Sequence, residues 1–157
     1  MPFNISSSIK NIYALILIFC LIRFAVFNWF LDASVLQSTQ YLLTHRQLFI
    51  ALVLAPIVET LIQMLFDNLF RRKKIKPKNA MLFVSGAAFA GLHLSASNTE
   101  IISVMSSIAT YFCMGLLLQL LYTKAKDVSA NPYLLTVLGH LAINSFVVLS
   151  ILVKSGF

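Results

Sequence analysis

Four polar residues of this sequence lie inside apolar segments and have side chains that can take part in hydrolysis. They are Glu59, His93, His140 and Asn144. A carboxylate in an apolar site can act as a general base on water, and a histidine beside it can hold that water or carry a proton. A histidine and an asparagine can donate hydrogen bonds to the oxyanion of a tetrahedral intermediate. This combination of side chains predicts peptide hydrolysis.

The spacing of these residues gives them compatible positions. His140 and Asn144 are four residues apart, so a helix places them on one face. Measured from one end of each apolar segment at 1.5 Å per residue, all four side chains lie roughly 12–21 Å in. They can therefore form one layer of a helix bundle.

The elements that must position this layer are five apolar segments. Each is long enough to span or nearly span a bilayer as a helix, which takes about 17–25 residues. The sequence therefore predicts an all-α, polytopic transmembrane helix bundle of about five spans. The predicted segments are Asn11–Phe30, Gln47–Phe70, Asn79–Leu94, Ile101–Tyr122 and Pro132–Val153.

The composition supports a membrane protein. Hydrophobic residues make up 59% of the 157 residues and charged residues 11%, whereas soluble domains have about 45–50% and about 25%. At this length a single domain, residues 1–157, is expected. The first apolar segment is longer than the apolar core of a signal peptide and is interpreted as a retained anchor. Arg23 within it and Asp32 after it are interpreted as snorkelling or packing residues.

The basic residues predict the orientation. The net charge is +7, and six of the twelve Lys and Arg residues follow the second apolar segment. A basic run between apolar segments is typical of a cytoplasmic loop and not of nucleic-acid binding. Lys10, Lys124 and Lys126 fall on the same side, which predicts a cytoplasmic N-terminus and an external C-terminus in the inner membrane. The run is Arg71, Arg72, Lys73, Lys74, Lys76 and Lys78.

Each polar residue also has a structural interpretation. A glutamate and a histidine can pair to fix helix packing, and a lone histidine can bond a neighbouring carbonyl. Phe89 is most simply a packing residue, and Thr60 and Gln63 can bond to the backbone or to each other. Pro56 removes a backbone donor one turn before Glu59, and in lipid a neighbouring group must satisfy the freed carbonyl.

Three motifs in order resemble the CPBP family, which includes type II CAAX prenyl endopeptidases and bacteriocin-processing or abortive-infection-like membrane proteins. The family motifs are EExxxR, FxxxH and HxxxN. Their counterparts here are Glu59-Thr60, Phe89 with His93, and His140 with Asn144. The resemblance covers roughly Leu48 to Leu152, the predicted protease core.

The resemblance implies a glutamate-dependent intramembrane protease. Glu59 would activate water with help from His93, while His140 and Asn144 would form the oxyanion site, with Thr60, Gln63 and Phe89 supporting them. The chain departs from the pattern where Thr60 replaces the second glutamate and Met64 takes the arginine position. ET-type variants of the first motif, often with a glutamine near the arginine position, occur in the family.

The favoured hypothesis is an endopeptidase that cleaves a peptide or membrane-protein substrate without cofactor or metal. The alternative is a non-catalytic relative that binds a peptide or partner helix, as in bacteriocin immunity or regulation. A third hypothesis is a small proton pathway, since Glu and His also build proton relays. The expected partners are the substrate and the lipid bilayer, with no nucleic acid. A prenylated substrate is not expected, because the compact chain looks bacterial.

Overall fold

Five long helices make up the structure, a computed structural model that describes residues 6–30, 48–72, 78–93, 101–128 and 131–155. A short π-helical segment, Ile50–Leu54, leads directly into the second helix. Among the residues that the structure describes there is no strand. The helices are α1 (Ser7–Phe30), α2 (Ala55–Arg72), α3 (Lys78–Leu92), α4 (Ile101–Asp127) and α5 (Pro132–Ser155).

The helical prediction is confirmed, and so is the multi-pass membrane architecture. Within the described ranges, four stretches are long and apolar enough to cross a bilayer: Ser7–Ala25, Ile50–Phe70, Ser107–Asp127 and Pro132–Ser150. The apolar part of α3, Ala80–Leu92, is shorter, so about five spans is compatible with the helices. Many large apolar side chains are exposed, for example Ile22, Leu65 and Phe83. Lipid, and not water, is the solvent that such surfaces require.

Local sequence signals explain the start of α5. Asn131 caps the helix, because its Oδ1 accepts a hydrogen bond from the backbone N–H of Leu134 at 3.0 Å. Pro132 takes the first helical position, where its missing N–H costs nothing. These two residues fix the register in which His140 and Asn144 follow.

The chain divides into two compact units. The first consists of Met1–Glu59 and Val137–Phe157. It contains α1, the π-helical segment and most of α5. Ile9, Ile16 and Ile143 are almost fully buried. A small cavity between α1 and α5 is lined by Cys20, Arg23, Phe24, Ile143, Phe146, Val147 and Ser150, a set that contains none of the predicted site residues.

The second unit is Thr60–Thr136 and contains most of α2 together with α3 and α4. Glycines bring α3 and α4 into close contact. A Cβ added at Gly115 would lie 2.7 Å from the Cβ of Phe89 and 3.0 Å from the Cα of Gly86. Small residues allow transmembrane helices to approach in this way. The rings of Phe83 and Phe112 then meet edge to face at 5.1 Å.

Two predictions lie outside the described residues. Asp32 falls between the described ranges, and so do three of the six residues of the basic run, Lys73, Lys74 and Lys76. The predicted orientation in the membrane therefore stays a prediction.

Candidate active site

The approach to Glu59 is a π-helical turn that ends at a proline. In this turn the N–H of Ala55 donates to the carbonyl of Ile50, five residues earlier. The next bond in the same register would run from residue 56 to the carbonyl of Ala51. Residue 56 is a proline and has no N–H to give. The π register thus leaves the Ala51 carbonyl without its backbone donor.

Asn144 supplies the missing donor. Its Nδ2 donates to the Ala51 carbonyl at 2.7 Å. The sequence predicted that a neighbouring group would satisfy a carbonyl one turn before Pro56. The neighbour is found, but the π-helical turn moves the freed carbonyl to the fifth residue before the proline instead of the fourth. A residue of α5 therefore holds the backbone just ahead of Glu59.

Glu59 and His140 form a close pair in the first unit. His140 Nε2 lies 3.4 Å from Glu59 Oε2. The His140 side chain is 1% exposed and the Glu59 side chain 16%, so part of the Glu59 side chain is accessible while its Oε2 atom is buried. Because Asn144 is one turn along α5 from His140, both polar groups on this face contact the segment that carries Glu59. A carboxylate, an imidazole and an amide are thus brought close to one another in the first unit.

His93, at the end of α3 in the second unit, is held in one tautomer. Its Nδ1 lies 2.9 Å from the carbonyl oxygen of Phe89. A carbonyl only accepts, so Nδ1 must carry the hydrogen and donate it. In the neutral ring the lone pair then belongs to Nε2. His93 is thereby prepared to accept a hydrogen bond, for example from a water molecule.

Two aromatic rings enclose the imidazole of His93. Phe89 stacks on one side with ring centroids 4.5 Å apart, and Tyr111 of α4 stacks at 4.3 Å. Both ring pairs are within about 20° of parallel. Phe89 therefore packs against the histidine of its own motif. Tyr111 was missed by sequence reasoning, since a tyrosine in an apolar helix outside any motif carries no signal.

Glu59 and His93 belong to different compact units. The geometry within the first unit brings Glu59, His140 and Asn144 together. The grouping of His93 with Glu59 rests on the family resemblance alone and stays a prediction.

Thr60 and Gln63, the predicted supporting residues, are both buried on α2, at 0% and 2% exposure. Neither the Thr60 hydroxyl nor the Gln63 amide has a hydrogen-bond partner among the described residues. The interpretation that they bond to backbone or to each other is therefore wrong. One turn further on, Asp67 accepts a hydrogen bond from Lys126 of α4 at 2.7 Å.

Over the described ranges, no three His, Cys, Asp or Glu side chains are grouped so that they could hold a metal ion. A protein-family model described as type II CAAX prenyl endopeptidase Rce1-like matches residues 41–146. This is about two thirds of the 157 residues, and it contains all four predicted site residues. Comparison with curated proteins and with solved structures gave no significant match.

Proposed function

Because the chain belongs to the Rce1-like family of type II CAAX prenyl endopeptidases, we propose that it is an intramembrane endopeptidase with Glu59 as its general base. The observation that carries this proposal is the contact between Glu59 and His140 at 3.4 Å within apolar helices. A base and an oxyanion donor must lie within hydrogen-bond reach of one reacting group. The 3.4 Å contact supports such an arrangement, and the Glu59 side chain is partly exposed.

The hydrolysis needs two steps. In the first, Glu59 takes a proton from a water molecule while the water oxygen attacks the carbonyl carbon of the scissile peptide bond. In the second, the tetrahedral intermediate collapses, the C–N bond breaks, and Glu59 returns the proton to the leaving nitrogen. The products are a carboxylic acid and an amine, and the carboxylate of Glu59 is regenerated.

His140 and Asn144 stabilise the oxyanion in this scheme. The imidazole of His140 lies beside the base and donates a hydrogen bond to the developing negative charge. The amide nitrogen of Asn144 has two hydrogens, and the Ala51 carbonyl uses one of them. The second remains for the oxyanion. Asn144 therefore combines a backbone contact with a catalytic one.

His93 assists the base by accepting a hydrogen bond from the attacking water. The stacked rings and the Nδ1 bond to the Phe89 carbonyl support this role, because they leave Nε2 as the acceptor. A peptide or a membrane-protein segment is the expected substrate. The basic run after α2 supports a cytoplasmic N-terminus and an external C-terminus in the cell membrane.

The test is cleavage of a peptide library by the purified protein in lipid bilayers, followed by the same assay on Glu59→Gln. This change keeps the size of the side chain and removes the base. The loss of a general base lowers the rate by about 10²–10⁴-fold. Asp127→Asn, which neutralises an exposed carboxylate at the end of α4, is the control and should cleave normally.

Wild-type cleavage by Glu59→Gln would disprove the mechanism. If the wild-type protein binds peptides from the library and cleaves none of them, the non-catalytic alternative is supported instead.

A further inference from the structure

Two rows of buried polar side chains run along α2 and α4 in the second unit. On α2, Thr60, Gln63 and Asp67 follow each other at intervals of three and four residues and therefore share one face. They are 0%, 2% and 0% exposed. On α4, Gln119 and Thr123 are four residues apart and are 0% and 6% exposed. Each row is polar in a helix whose other faces are mainly apolar.

One ion pair joins the two rows at one end. Lys126 Nζ donates to Asp67 Oδ2 at 2.7 Å, which ties α4 to α2. Ser85 of α3 donates to Gln119 Oε1 at 3.0 Å. One helix separates α2 from α4 in the chain, so in an up-and-down bundle they run in the same direction.

The helix rise then places the other members of the two rows at matching levels. Gln63 and Thr123 lie about 4.5–6 Å before the Asp67–Lys126 pair along their helix axes, and Thr60 and Gln119 about 10.5 Å before it.

The atoms along these rows lack protein partners. Among the described residues, no hydrogen-bond partner exists for Thr60 Oγ1, Thr123 Oγ1, Gln119 Nε2 or either atom of the Gln63 amide. Buried polar side chains are hydrogen-bonded in the large majority of cases, to protein or to ordered water. Five such atoms on two rows of one compact unit therefore indicate a small bound ligand.

The chemistry of these atoms defines the ligand. It must be small, because every side chain is more than nine-tenths buried. It must both donate and accept hydrogen bonds, since the rows present hydroxyls, amide N–H groups and an amide oxygen. It must be neutral, because Lys126 already balances the charge of Asp67. A water molecule meets all three conditions and typically makes about three such bonds when buried.

We propose that Thr60, Gln63, Gln119 and Thr123 bind a file of ordered water molecules inside the second unit. The file begins at Lys126, whose side chain is 35% exposed, and ends at Thr60, which follows Glu59 in the chain.

The test measures hydration of the glutamine side chains in the unmodified protein. In lipid bilayers, with ¹⁵N-labelled glutamine, water-edited solid-state NMR detects magnetisation transfer from water to side-chain amides. Gln63→Leu and Gln119→Leu variants assign the two signals. We expect rapid transfer to both amides at 5 °C, as at a hydrated site. If water magnetisation reached these side-chain amides no faster than it reached backbone amides within the bilayer, the proposal would be wrong.

This measurement is made without substrate, which separates this proposal from the catalytic one. Fast water transfer supports the file even if Glu59→Gln retains full cleavage. Slow transfer overturns the file even if Glu59→Gln is inactive.

Discussion

The two histidines of the motifs are held in different ways. His140, in the first unit, is 3.4 Å from the carboxylate of Glu59 and sits one turn from Asn144, so polar groups on two segments determine its surroundings. His93, in the second unit, donates to a backbone carbonyl of its own helix and lies between two aromatic rings. One imidazole is fixed mainly by electrostatic partners and the other mainly by packing.

This difference indicates a difference in role. A histidine beside a carboxylate acts together with it, so a change in one residue alters the function of the other. When a backbone carbonyl sets the tautomer of a histidine, the other ring nitrogen is the hydrogen-bond acceptor. No charged partner is needed to fix this tautomer. We therefore expect mutations near His140 to be strongly coupled. Mutations near His93 should act through the position of the ring.

The largest expected effect concerns the Glu59–His140 pair. Glu59→Gln should lower kcat/KM by about 10²–10⁴-fold and His140→Gln by about 10²–10³-fold. The double variant should lose little more than Glu59→Gln alone, because residues that act as a unit are strongly non-additive. Kinetics of all four proteins on one cleaved peptide provide the measurement. If the fold-loss in kcat/KM of the double variant equalled the product of the two single losses, the residues would act independently.

The contact between α3 and α4 beneath Phe89 should be sensitive to one methyl group. A Cβ at Gly115 would lie 2.7 Å from the Cβ of Phe89, so Gly115→Ala should destabilise the protein by about 1–3 kcal/mol. Gly91→Ala is a matched control on α3, because a Cβ there has no neighbour within 4 Å. Thermal unfolding in detergent measures both changes. Equal Tm values for the two variants would contradict the close packing around His93.

The bond from Asn144 to the Ala51 carbonyl should depend on Pro56. Asn144→Leu leaves a part-buried carbonyl unpaired and should lower the free energy of unfolding by about 1–3 kcal/mol. In a Pro56→Ala background, residue 56 regains an N–H that can donate to the helix carbonyls. The cost of Asn144→Leu should then fall by about 1 kcal/mol.

Equilibrium unfolding of the four proteins in this cycle gives the coupling energy. Ser145→Ala is the control, since Ser145 is exposed and bonds the Leu141 carbonyl of its own helix. If Asn144→Leu lowered the free energy of unfolding by the same amount in both backgrounds, the contribution of the Asn144 bond would not depend on Pro56.

Most of the fold could be predicted from sequence because lipid imposes a simple rule. Apolar runs of spanning length must be helices, since every backbone group needs a partner. The end of α4 and the start of α5 show how precisely this rule locates helix boundaries. The start of α5 was predicted correctly from Asn131-Pro132, whereas α4 continues five residues past the predicted end at Tyr122, through Lys124 and Lys126. Polar residues can extend a helix beyond its apolar part, and the pattern of hydrophobic residues does not reveal such an extension.

The candidate site was predictable where it follows from spacing. His140 and Asn144 share a face because of their separation, and the presence of Pro56 predicts a neighbour for a freed carbonyl. The π-helical register was not predictable, because it depends on packing around Ile50–Leu54. The rows on α2 and α4 were missed for a similar reason. Gln63 and Gln119 are 56 positions apart in the chain, and only the folded unit shows that both are buried.

Tyr111 provides the most sensitive test of the packing around His93. Its ring stacks on the imidazole at 4.3 Å, and a stacked aromatic pair contributes about 0.5–1.5 kcal/mol. Tyr111→Leu should therefore lower kcat by about 2–10-fold with little change in KM. Tyr111→Phe keeps the ring and should behave as wild type. Histidine ¹⁵N NMR gives a readout that does not depend on activity, because the Nδ1–H signal of His93 should broaden in Tyr111→Leu alone. Wild-type kcat and an unchanged imidazole spectrum in Tyr111→Leu would show that the bond to Phe89 is sufficient to hold His93.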